Sequence, residues 1–89
     1  MYCVVPKKLI KQRNITANAK LLYSVIVQQS SENECLRTNL WFAEIFGVKK
    51  LTVAKWLKEL ENAEYIKREL IRYCDDDGRF ITRRIINVN

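Results

Sequence analysis

The sequence predicts an α+β fold in which three helices precede a β-hairpin. Three observations carry this. Apolar residues recur at helical spacing from Ile15 to Leu60. Gly47 interrupts that pattern inside FAEIFGVKKLTVAKWLKEL, Phe42 to Leu60. After Glu64 the chain turns to two runs rich in Ile, Tyr, Phe and Thr, YIKRELIRYC and RFITRRIINV, joined through DDDG.

Residues 1–14 form a lead-in. Within it Val4 to Gln12 reads as a short extended or helical segment, and Pro6 suits a first helical turn. The first long helix follows Thr16, a good N-cap residue. Ile15, Ala19, Leu22 and Ile26 make its apolar stripe, widened by Leu21 and Val25. It ends in the polar run Gln28 to Glu34. Cys35 and Leu36 suit a very short strand. Thr38 then caps a second helix running to about Phe46. A third helix runs from about Lys49 to Ala63, with Val53, Trp56, Leu57 and Leu60 on one face. Its other side carries Lys50, Thr52, Lys55 and Glu59, with Lys58 nearby.

Gly47 explains how the second and third helices meet. Inside one continuous helix it would cost about 1 kcal/mol relative to alanine. Between two helices it supplies a positive φ and a sharp change of direction. Ala43 is small where the helices cross, Val48 plugs the core beneath the turn, and Phe42, Phe46, Val53 and Trp56 are apolar where burial is needed. The pattern is that of a helix-turn-helix over residues 38–63. The ordinary alternative is a helix corner with no ligand, and a hairpin placed directly after the third helix argues against it.

Asp77-Gly78 is a tight-turn signal. Taken as a two-residue turn, it pairs Asp76 with Arg79 and sets Arg72 opposite Arg83 on one face. Like charges so placed cost stability, and an anionic partner relieves that cost. Residues 65–88 are the predicted hairpin, and residues 1–89 read as one domain.

Helix, short strand, helix, helix, hairpin is the element order of a winged helix. The chain resembles winged helix-turn-helix domains: a three-helix core plus a C-terminal β-hairpin wing. It is similar in particular to the N-terminal domains of replication initiators and replisome organisers of phages, plasmids and other bacterial mobile elements. The matching stretches are VPKKLI, NAKLLYSVI, TNLWFAEIFGV and LTVAKWLKELENAEYIKR, from about Val5 to Arg68. That family usually places Ser or Thr where Lys49 stands and often Gly where Glu64 stands. Lys49 therefore forgoes about 1 kcal/mol of helix capping. The resemblance implies DNA binding, in a broad family that also has protein-binding members.

Composition agrees with such a partner. The 89 residues carry 16 Lys plus Arg against 10 Asp plus Glu, a net charge of +6. A basic balance on so small a chain suits a polyanion, most often nucleic acid. Cys3, Cys35 and Cys74 are far apart, form no CxxC pair and have no histidine to join them. They are expected to be reduced, mostly buried thiols of a cytoplasmic protein, with no metal site. No apolar run approaches the roughly 20 residues that span a membrane. No histidine, no thiol with a base partner and no GxxxxGK loop are present, so an enzyme is not expected, nor is a cofactor.

The candidate DNA-binding residues follow from these placements. On the third helix they are Lys49, Lys50, Thr52, Lys55 and Lys58, facing bases or phosphates in the major groove. No Arg, Asn or Gln precedes Asn62 there, so bidentate reading of purine edges is poorly supplied. Thr38 and Asn39 begin the second helix, where a phosphate is welcome, although Thr38 also suits a plain cap. Arg37 is a backbone-contact candidate. On the hairpin the candidates are Arg72, Arg79, Arg83 and Arg84. Asp75, Asp76 and Asp77 repel phosphate at the tip and are read as serving the turn.

Three functions compete. The first is a DNA-binding, nucleoid-associated protein for replication, or its regulation, of a bacterial mobile element, with duplex DNA favoured. The second is single-strand binding through the basic hairpin, with Tyr65, Tyr73, Phe80 or Trp41 as stacking platforms. The third is a protein-interaction module that docks on a helicase, polymerase or initiator. The second helix, with Leu40, Trp41, Phe42, Ala43, Ile45 and Phe46, has little polar face. It is either buried against the first helix and the N-terminal segment or a homodimer or partner surface.

Overall fold

The computed structural model describes residues 6–89, so Cys3, Val4 and Val5 of the lead-in lie outside the described residues. Pro6 leads into a single turn, α1 (Lys7–Ile10), which buries Leu9. α2 (Ala17–Gln28) begins at Thr16, whose hydroxyl oxygen accepts the Ala19 N–H at 3.3 Å. Next come β1 (Glu34–Cys35), α3 (Asn39–Phe46), α4 (Lys50–Asn62), β2 (Ile66–Cys74) and β3 (Phe80–Val88). The strands form one antiparallel sheet in the order β1-β3-β2. The architecture is a winged helix, with α2, α3 and α4 as the three long helices.

The stripe predicted for α2 is buried at Ile15, Ala19, Leu22, Val25 and Ile26. Leu21 does not widen it, being 41% exposed. Tyr23 goes inward instead, edge-on to Tyr65 with ring centres 5.8 Å apart. α4 contributes Val53, Trp56, Leu57 and Leu60, and the root of the sheet contributes Ile66 and Ile86. Each such side chain contributes roughly 1.5–3 kcal/mol on burial. The short strand sits one residue earlier than Cys35–Leu36. Cys35 pairs with Ile86 and points into the core, whereas Leu36 stays in water. α3 divides its apolar residues: Phe42 and Ala43 are buried, while Leu40 and Ile45 are about half exposed. Cys74 contradicts the expectation of mostly buried thiols, because its strand has left the core by that point.

Two helices end in the same left-handed way. Gly47 takes φ 66°, and the Val48 N–H donates back to Ala43 O at 3.0 Å. Glu64 takes φ 65° after α4. There Glu64 N–H donates to Glu61 O and Tyr65 N–H donates to Leu60 O, both at 3.0 Å. These bonds satisfy carbonyls that a helix end leaves orphaned. A Cβ built at Gly47 meets nothing within 4 Å, so glycine is needed for its backbone conformation and not for room.

The wing turn corrects the expected register. Asp75 pairs with Arg79 around a three-residue loop, Asp76-Asp77-Gly78, with Gly78 at φ 79°. The Asp75 carboxylate decides this outcome. One of its oxygens accepts the Asp77 N–H at 3.0 Å and the Arg79 N–H at 2.8 Å, holding a turn that closes on a left-handed glycine. Everything beyond slips by one residue. Arg72 lies opposite Thr82, and Arg83 lies opposite Ile71. Because cross-strand partners share a face, Arg72 and Arg83 are on opposite faces. The repulsion expected between them is absent.

The two left-handed positions predict opposite responses. Gly47→Ala should destabilise the protein by about 1–2 kcal/mol, the cost of a left-handed residue with a Cβ. Glu64→Gly should stabilise it by a few tenths to about 1 kcal/mol, because glycine relieves the same cost. Urea unfolding at constant m-value measures both. An unchanged midpoint for Gly47→Ala would show that the turn is wrongly assigned.

Candidate nucleic-acid interface

α4 carries a basic, solvent-facing stripe. Its start follows from the turn at Gly47, and its inward face is fixed by Val53, Trp56, Leu57 and Leu60. That leaves Lys50, Leu51, Lys55 and Lys58 pointing outward and exposed. Lys49 is the N-cap residue and makes no side-chain cap bond. None of Lys49, Lys50, Lys55 and Lys58 forms an ion pair; among the described residues the ion pairs are Lys67–Glu69 and Arg68–Glu61. Lys55 and Lys58 are three residues apart on one helix face, a like-charge spacing that destabilises a helix slightly. Thr52 is half-buried at the edge of the stripe.

Glu59 does not belong to this face. Its carboxylate accepts from the Thr16 N–H at 3.1 Å and the Thr16 hydroxyl at 3.2 Å, tying α4 to the start of α2. Glu61 is likewise engaged, with the Arg68 guanidinium bound at 2.9 and 3.0 Å. The hydrogen bonds from Arg68 hold the Glu61 carboxyl below its ordinary pKa. The acids of α4 therefore face its neighbours; of the outward lysines, Lys58 alone acts on one of them, adding to the fall of the Glu61 pKa.

Leu51 joins this face although the sequence marks only polar residues for it. It is 69% exposed, four residues before Lys55 and seven before Lys58. Helical spacing alone places it in the middle of the basic stripe.

A second group lines a cleft of about 780 Å³ between the start of α3 and the wing. Arg37, Thr38 and Asn39 form one wall, and Thr82, Arg83 and Arg84 the other. Thr38 acts as the cap, its hydroxyl oxygen accepting the Trp41 N–H at 3.1 Å. Arg37 lies 4.6 Å above the Trp41 ring and donates to Gln29 Oε1 at 3.2 Å. Gln29 is a further lining residue that no periodicity marks. Arg84 is half-buried and works as a clamp: it donates to Asn39 Oδ1 and, at 2.7 Å, to Arg37 O. Burial lowers its pKa, and nearby Arg68 adds to the fall. Arg83 is exposed at the mouth.

Arg72 and Arg79 form the third group, out along the wing. Arg72 lies 5.4 Å above the Phe80 ring, and Arg79 takes part in the turn. The structure thus brings Arg37, Thr38, Asn39, Arg83 and Arg84 together and leaves Arg72 and Arg79 apart from them.

A family model described as a helix-turn-helix domain matches residues 13–66, more than half of the chain. The chain belongs to this helix-turn-helix domain family. No curated protein and no solved structure matches it. The match to the helix-turn-helix domain ends where β2 begins, so the family pattern covers α2 to α4 and not the wing. Membership points to DNA as the partner. No helix among the described residues is long and apolar enough to cross a membrane.

The uncapped start of α4 yields a test. Lys49→Ser supplies the missing cap and should raise stability by about 1 kcal/mol. The same change removes a cation from the tip of the basic stripe, so duplex affinity should fall while stability rises. Thermal melts and anisotropy titrations of the one variant check both. A gain in stability with unchanged affinity would take Lys49 out of the interface.

Proposed function

We propose that this protein binds duplex DNA with α4 in the major groove, and that it serves replication of a bacterial mobile element or the regulation of that replication. The observation that carries the DNA reading is the row of unpaired lysines on the outward face of α4. Four cations along α4 and its N-cap, none of them in a direct ion pair and only Lys58 with an acid, Glu61, close enough to act on it, repel each other, and a phosphate backbone relieves that repulsion. Lysine acts as a point charge and mainly positions the protein on the backbone. Leu51, within the stripe, offers an apolar surface suited to the C5-methyl of thymine. Arg37, Arg83 and the start of α3 add backbone contacts at the cleft. The replication setting rests on the resemblance of NAKLLYSVI and TNLWFAEIFGV to initiator domains. The assignment is to binding and not catalysis, in the cytoplasm and at the nucleoid.

Two observations weigh against single strands. Tyr65 is committed to Tyr23 and, through its hydroxyl, to Gln12 at 3.0 Å. Trp41 is half-buried, with Phe42 edge-on and Arg37 over its ring. Of the four aromatic platforms available to single strands, Tyr73 and Phe80 are the ones left exposed.

Replacing Lys50 and Lys55 together by alanine should weaken duplex binding about equally across sequences. The slope of log affinity against log salt should fall by roughly 0.9 for each phosphate that is no longer neutralised. Anisotropy titration against matched double- and single-stranded oligonucleotides across a salt series reads both quantities. Wild-type affinity and slope in the double variant would rule out docking through α4.

A further inference from the structure

Beyond its root the wing packs on nothing among the described residues. Every residue from Glu69 to Phe80 is exposed except Asp75, which is partly covered within the turn. The molecule measures 48 × 26 × 25 Å. This projecting ribbon is apolar on both faces. Leu70, Arg72 and Phe80 share one face, with Leu70 74% and Phe80 73% exposed. Ile71, Tyr73 and Ile81 share the other. β2 is also an edge strand, so its outer row of backbone N–H and C=O groups is unpaired. A two-stranded ribbon with two wet apolar faces is marginal alone and gains stability from a cover.

Charge decides what the cover is. The outer arm, residues 70–82, holds Arg72 and Arg79 against Asp75, Asp76 and Asp77, a net charge of −1. That does not attract a polyanion. The root, residues 66–69 and 83–88, holds Lys67, Arg68, Arg83 and Arg84 against Glu69 and against Glu61, the ion-pair partner of Arg68, a net charge of +2. The arm is therefore acidic at its tip, apolar in its middle and basic at its root. Laid antiparallel on a copy of itself, it meets its own complement: tip on root, apolar middle on apolar middle.

We propose that the distal wing is a homodimer interface, in which the arms of two copies pair antiparallel with the acidic tip of each against the basic root of the other. The two-fold relation makes each contact occur twice. The partner is a second copy of this chain, and the surface used is distinct from α3. The lysine stripe of α4 is not consumed, so the dimer would present two such stripes; of the proposed DNA contacts, Arg83 is the one the root shares.

Sedimentation equilibrium over a wide concentration range, without DNA, tests the interface independently of nucleic-acid binding. The wild type should approach twice the 10.6 kDa chain mass. Leu70→Lys with Phe80→Lys should weaken association by about 100-fold or more. Both side chains are largely exposed in the single chain, so its circular dichroism should stay unchanged. Asp76→Lys with Asp77→Lys should also weaken association, and adding Lys67→Glu should recover part of it. A wild type that stays monomeric throughout would overturn the proposal. So would a dimer that survives the Leu70 and Phe80 changes, or one abolished instead by Leu40→Lys with Ile45→Lys on α3.

Discussion

The Phe46 ring meets the Trp56 ring edge to face, with centres 5.5 Å apart, on either side of the left-handed turn at Gly47. This contact needs α3 to stop at Phe46 and α4 to leave at an angle, and only a positive φ between them permits both. Val48 packs against the core beneath, and Phe42 and Val53 are fully buried. Once the angle is set, α4 has a single way to lie. Its inward face is spent on the core, and whatever the sequence places opposite is held rigidly in water. The basic stripe is thus a consequence of the turn as much as of the lysines.

Local stability is given up at two places along this element. Lys49 occupies a cap position that it cannot fill, and Glu64 occupies a left-handed position where glycine would be unstrained. Only the first has a ready compensation, and only under the proposed DNA binding, where a cation at the leading end of α4 adds to the charge that meets a phosphate backbone. The acids of the same helix are consistent with that division. Glu59 and Glu61 bind Thr16 and Arg68, and so contribute to packing; neither forms an ion pair with the outward lysines.

The helices are legible in the sequence because each announces itself twice, through a periodic apolar stripe and through Thr16, Thr38 or Gly47 at its boundary. The wing is legible as a hairpin but not in register. DDDG admits both a two-residue turn and a three-residue loop, and the Asp75 carboxylate selects the second through backbone hydrogen bonds that no periodicity reveals. The outward face of α4 is legible where it depends on helical spacing alone, as in the exposure of Lys50, Lys55 and Lys58. The candidate site is less so where tertiary contacts decide. Arg84 reads as a surface cation in the sequence and proves to be half-buried against Asn39 and Arg37. Leu51 carries no charge to mark it for a basic face, although its helical spacing from Lys55 and Lys58 places it there.

Whether the outward face of α4 is the DNA-contacting surface is tested most directly by titrating ¹⁵N-labelled protein with a duplex oligonucleotide and following every backbone amide. Shifts should concentrate from Lys49 to Lys58, with a second group at Arg37 to Asn39, while the amides from Leu70 to Ile81 move little. Shifts confined to the distal hairpin, or an α4 that stays silent at saturating duplex, would contradict that assignment.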